Sequence, residues 1–191
     1  MRPVPRVPPF DRPATYDDLI KLPDIVVGEI VNGELYSSPR PSPPHVVAGS
    51  AIGSIIGPPF HFGRGGPGGW WILFEPELHL GPDVLVPAFA GWRRTRMPKL
   101  PETAYFPLAP DWICEILSPS TAALDRARKL TIYARERVPF VWLVDPLART
   151  LEVLQLEKGR WTIIGTHLGD ETVRAEPFAE IELVLTDLWV D

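Results

Sequence analysis

With 191 residues, a net charge of −5 and a single cysteine, the chain has the length of one domain that buries about 70% of its unfolded surface. The acidic balance excludes a general polyanion-coating protein, so contact with nucleic acid requires a local basic patch or a metal ion. Cys114 cannot form an internal disulfide, which fits a cytoplasmic setting, and no apolar run approaches the ~20 residues of a membrane span, so no membrane partner is expected.

Proline, with 24 residues, punctuates the chain. Residues 1–14 predict a flexible proline-rich arm and leave 15–191 as one domain. Thr15 to Leu22 has the cap and acidic first turn of a short helix that ends before Pro23. Ile25 to Val31 and Glu34 to Ser37 read as strands joined by Asn32-Gly33, a strong hairpin signal, with Glu29 and Glu34 flanking the turn. His45 to Ile56 reads as a helix whose small residues permit close packing, with His45 in its first turn as a packing or capping group. Gly57 to Gly69 holds six glycines and three prolines and reads as a loop. Trp70 to Leu80 and Val84 to Trp92 predict a second hairpin around Gly81-Pro82-Asp83, followed by a basic and then proline-rich connection.

The stretch from Asp111 to Pro146 organises the rest. Trp112 to Leu117 is an apolar run whose only charge is Glu115, and both faces of such a strand read as buried. A lone carboxylate there would cost several kcal/mol or take up a proton, so it calls for a metal ion, a Lys or Arg, or hydrogen-bond donors. Ser118-Pro119-Ser120-Thr121 opens a helix reaching about Arg137, with Asp125 in its first turn. Its apolar stripe is Ala123, Ala127, Leu130 and Ala134, with Lys129 and Tyr133 along one edge; Ile132 points away from the stripe, toward a subunit contact. Phe140 to Val144 is a second strand. The pair forms a βαβ unit with parallel strands, placing Glu115 near a carboxyl end. A hairpin over 150–166 and a strand near 181–185 complete an α/β domain with a central mixed sheet.

Several separated motifs resemble one family: Gly28 to Leu35, Pro41 to His45, Glu75-Pro76-Glu77-Leu78-His79-Leu80, Asp111 to Thr121, then Asp125, Lys129, Tyr133-Ala134-Arg135 and Trp142-Leu143-Val144-Asp145. They are similar to the Uma2 family (DUF820), and the likeness spans roughly residues 15 to 190. The resemblance implies a restriction-endonuclease-like fold of the PD-(D/E)xK class: a central mixed sheet flanked by helices, with additional hairpins. It also implies a metal-dependent DNA endonuclease using Mg2+ or Mn2+. On that pattern Glu115 is a metal ligand and catalytic group, and Lys129 takes the lysine role.

One position departs from the pattern. Pro87-Ala88 stands where the family has Pro-Asp, and a methyl group cannot bind a cation. Asp83, about 16 Å away along an extended strand, cannot substitute. Glu77 is expected to serve as second metal ligand and Glu29 to join the catalytic group. Three readings follow: a weakened endonuclease, an inactive nucleic-acid- or protein-binding homodimer of the same fold, and a structural homodimer in which Glu115 is an internal ion pair.

Overall fold

The computed structural model describes residue 7, residues 11–38 and residues 41–190. The expected arm over 1–14 falls largely outside them. Of its described part, Val7 donates to the Leu35 carbonyl at 3.1 Å and Ala14 to that of Gly33 at 2.8 Å. Helix α1 (Tyr16–Leu19) has the expected capping box, in which Thr15 and Asp18 exchange bonds. Strands β1 (Val27–Val31) and β2 (Glu34–Ser38) pair across Asn32 and Gly33, whose φ angles of 52° and 77° are those of the tight turn this dipeptide favours. Helix α2 (Pro43–Ile56) runs on into a π-helical turn, Gly57–His61, where a loop was expected.

The second hairpin is split in two. Its inner part pairs β3 (Trp70–Phe74) with β6 (Phe89–Arg93), and its outer part pairs β4 (Leu78–Leu80) with β5 (Asp83–Leu85). One register runs through both parts, interrupted where Pro76 and Pro87 remove ladder donors and Glu75 takes a φ of 44°. The outer part turns away to join β1 in a four-stranded sheet ordered β2-β1-β5-β4. That junction carries Glu29 to the main sheet. It is fastened by Asp83, fully buried, which accepts from the Asn32 backbone N–H at 2.6 Å and from Arg135 at 2.9 Å. Asp83→Ala leaves the Asn32 N–H without its acceptor and takes one carboxylate from Arg135, which keeps the Leu80 carbonyl and Glu136, and is expected to cost about 2 kcal/mol in urea unfolding; a variant as stable as the parent would show that the fastening contributes nothing.

The main sheet has six strands, ordered β10-β9-β8-β7-β6-β3. As predicted, β7 (Trp112–Ile116) and β8 (Phe140–Asp145) are parallel neighbours, and the other pairs are antiparallel, including the hairpin of β9 (Thr150–Glu157) and β10 (Arg160–Leu168). The expected last strand forms only a two-residue pair, β11 (Thr172–Val173) with β12 (Leu183–Val184), outside that sheet. One face of the main sheet is covered by α2 and the C-terminal segment. There Trp112, Trp142 and Phe178 meet edge to face with centroids 4.9 to 5.7 Å apart, each pair contributing about 0.5–1.5 kcal/mol beyond area burial. The other face is covered by α3, which is α-helical at Ala122–Leu124, π-helical at Asp125–Lys129 and α-helical again at Leu130–Arg135.

The buried face of α3 is not the alanine stripe. Ala123 and Ala127 are exposed, while Leu124, Asp125, Lys129, Ile132 and Tyr133 are buried. Charged residues on the inner face conceal it from a reading based on apolar spacing. Ile132, expected at a subunit contact, lies in the core with 1% of its surface exposed, so that basis for a homodimer is removed. No helix among the described residues is long and apolar enough to cross a membrane.

Candidate functional site

The four buried charges at the centre come from three elements. Glu29 projects from β1, Glu115 from β7, and Asp125 and Lys129 from the π-helical turn of α3, each with no more than 6% of its surface exposed. The Lys129 Nζ lies 2.8 Å from Glu29 Oε1, 2.8 Å from Glu115 Oε1 and 3.4 Å from Asp125 Oδ1. An ammonium has three protons to donate, and here three carboxylates face it. Tyr133, one turn on, donates to Glu115 Oε1 at 2.5 Å, and the Val86 backbone N–H donates to Glu29 Oε1 at 2.8 Å.

Three carboxylates around one cation leave a surplus of negative charge. Burial pushes the Glu115 carboxyl from its ordinary 4.5 up to about 8; Lys129 opposes the shift, while Asp125 and Glu29 add to it. Asp125 is raised by burial too. Burial works against the Lys129 charge, but Glu115 and Glu29 override it and hold the ammonium well above its usual range. The sign for stability follows. The folded state keeps a proton on Glu115 that the unfolded chain loses above pH 4.5, so this group's contribution is full below 4.5 and is lost as pH rises to about 8. Glu115→Gln mimics the protonated carboxyl. It should therefore remove a loss on the order of a few kcal/mol over that window and make the protein at least as stable as the parent at pH 8; an unchanged pH profile of urea unfolding would refute this.

The group opens onto a cleft of about 220 Å³, walled by Ala88, His45 and Glu75 and by the turn from Ser118 to Thr121. Ala88 precedes β6, and its carbonyl accepts from Glu75 N–H at 3.0 Å, so the ladder continues through it. The last pair of β6 with β7 is Phe89 with Cys114; Ala88, the next residue out, packs with Phe89 and Ile116 and lines the cleft together with Glu115.

Of the residues predicted for the site, the structure thus brings together Glu115, Lys129 and Glu29. It does not bring Glu77, whose carboxylate accepts from Tyr16 Oη at 2.9 Å and lies 2.8 Å from His79 Nε2. Pro76 turns β4 into the other sheet and takes Glu77 with it. Asp125 and Tyr133 were missed as site residues. The spacing of Asp125 and Lys129 by four was visible in the sequence, but it reads as a solvated surface pair until the helix face is known.

A divalent metal ion, implied by the resemblance, does not fit these residues. Mg2+ demands near-octahedral oxygen coordination. Here Ala88 offers no donor and the three carboxylates face an ammonium. Among the described residues no group of three or more His, Cys, Asp or Glu side chains is arranged to hold a metal.

A family model described as "Uma2: Putative restriction endonuclease" matches residues 13–187. No curated protein matches the chain. Among solved structures it is similar to a protein from Anabaena variabilis ATCC 29413, described as a putative nuclease belonging to DUF820. The TM-score is 0.68 and the identity 24%, over 92% of this chain and 97% of that one. At that identity the likeness is one of fold.

Proposed function

The chain belongs to the Uma2 family, and we propose from this that it is a restriction-endonuclease-like nuclease of DNA whose centre is weakened or silenced at Ala88. The observation that carries the reading is the position of Ala88: a methyl group on the wall of the same cleft that Glu115 and Lys129 line. A carboxylate is what that place lacks. The fold, the acidic strand and the lysine of the following helix all remain.

What these side chains do in the present chain is limited by their bonds. Lys129 has all three protons facing carboxylates, so it cannot orient a water without giving one up. Glu115, with its carboxyl raised to about 8, is mostly protonated at pH 7 and is a poor base. The same saturation favours a second reading, in which the protein binds nucleic acid or a protein and performs no chemistry.

The test compares the chain with Ala88→Asp by calorimetric titration with Mn2+ and by incubation with supercoiled plasmid and Mg2+. The proposal expects weak metal binding and little nicking by the chain as it stands, and a gain of both on substitution. A variant that gains neither would leave the binding reading in place.

A further inference from the structure

Beside the cleft, and sharing Pro41 and His45 with it, runs an apolar groove of about 590 Å³ between α2 and the edge strand β3. Two aromatic rings line it and face water: Phe62 is 62% exposed and Phe74 60%. Large apolar rings are ordinarily buried, and two beside one groove mark a surface built to be covered. Gly49 and Gly53 line it, and a Cβ at either would lie 3.4 Å from Ile116 or Phe89 respectively, so α2 sits close on the strands behind the groove. Exposed aromatic rings on the wall of an apolar groove suit a planar ligand that can stack on them.

The charge beside the groove is opposite to that of the protein as a whole. In a chain of net charge −5, Arg64, Arg93 and Arg94 gather at the far end of β3. The guanidinium carbon of Arg64 lies 5.3 Å from the Phe62 ring centre, that of Arg93 4.5 Å from Trp70, and that of Arg94 3.9 Å from Trp71. Arg94 also bonds the His61 carbonyl at 2.9 Å, fastening the loop that carries Phe62. Among the described residues none of these three arginines is paired with a carboxylate. From Phe74 to Trp70 the edge strand spans about 13 Å, so rings near the cleft give way to cations within the reach of a short run of nucleotides.

We propose that this edge is a track for single-stranded nucleic acid, with bases stacking on Phe62 and Phe74 and phosphates meeting Arg64 and Arg93, leading a strand to the cleft. The inference rests on the DNA reading of that cleft and gives it a strand preference. Stacking requires unpaired bases, because in a duplex their faces are occupied. The acidic cleft floor repels phosphate in the absence of a cation, so the binding energy must come from the track.

The test is anisotropy of a fluorescein-labelled twelve-nucleotide oligo(dT), and of a duplex of equal length, with EDTA present. The single strand should bind more tightly than the duplex. Phe62→Ala and Phe74→Ala should each weaken it roughly 5- to 150-fold while Phe74→Trp retains it. Arg64→Gln and Arg93→Gln should each lower the slope of log affinity against log salt by roughly 0.7. Both phenylalanines are exposed, so the variants should melt with the parent. No binding, equal binding of duplex, or Phe variants that bind like the parent would overturn the track; an apolar groove made for a peptide gives the last of these. Because EDTA removes any metal, this outcome is separate from that of Ala88→Asp. Loss of oligonucleotide binding in the Phe variants without cleavage by Ala88→Asp would keep the track and end the nuclease reading, and the reverse would do the opposite.

Discussion

Ala88→Asp is expected to melt at or below the parent's temperature in EDTA, to melt several degrees higher in Mg2+ or Mn2+, and to nick plasmid DNA only with the metal. The new side chain joins Glu115 in the lining of one cleft, just beyond the last pair of β6 with β7, and cross-strand neighbours have Cβ atoms about 5 Å apart. Two unit charges at that distance repel by about 3 kcal/mol at an effective dielectric constant near 20. Because Glu115 is already raised to about 8 by burial, part of that repulsion will be relieved by keeping its proton, at a cost that grows with pH. The new carboxylate and Glu115 are the residues that would hold a divalent cation, and its charge would offset their repulsion. At a metal concentration one hundred times the Kd the folded state gains about 2.7 kcal/mol, which for a protein of this size is a rise of about 5–10 °C. Identical melting with and without Mg2+, together with intact plasmid, would remove Ala88 as the lesion.

The parts of the fold that were legible in the sequence are those in which local chemistry and burial agree. Asn32-Gly33 can hardly be anything but a tight turn, and the apolar runs around Glu115 and Trp142 have to be central strands. The βαβ unit between them follows from handedness and length. Glu29 was legible in a weaker sense, as a carboxylate beside a well-defined turn. That β1 lies under the cleft depends on the split of the second hairpin, and a single register running through both of its parts makes that split invisible to pairing arguments.

What was not legible is where charge and burial disagree. The stripe Ala123, Ala127, Leu130 and Ala134 of α3 presents the apolar periodicity of an inner face, yet Ala123 and Ala127 face water and only Leu130 packs against the core, because Asp125 and Lys129 occupy the inner face and break its pattern. This one reversal explains why Asp125 was read as a surface partner, Tyr133 as an edge residue and Ile132 as a contact for another subunit. Glu77 shows the complementary failure: its place in the sequence beside β3 suggested the site, and the Pro76 turn carried it elsewhere.

Lys129→Met is the substitution expected to harm the fold most, because its loss is electrostatic and concentrated at one point. Methionine approximates the stem of lysine, so the packing of α3 against β7 is largely kept, while Glu29, Glu115 and Asp125 lose the cation that all three face. Breaking a buried pair by removing one partner costs about 3–5 kcal/mol, and three carboxylates at 4–6% exposure cannot recover that energy from water without opening the site. The pH dependence identifies the cause. In the parent the Lys129 charge is held well above its usual range, so its contribution is full below its unfolded value and is lost only in strong alkali. In the variant Glu115 and Asp125, already raised by burial, lose the cation that opposes the rise, so the stability they contribute is present below their unfolded values and falls as pH climbs through neutrality. Urea unfolding at pH 5 and pH 8 should therefore show a deficit that is small in acid and largest at pH 8. Adding Glu115→Gln, which removes one of the stranded charges, should restore part of it. A deficit equal at both pH values and untouched by the second substitution would mean that Lys129 holds the fold through its hydrocarbon stem, and that the charge cluster contributes nothing to it.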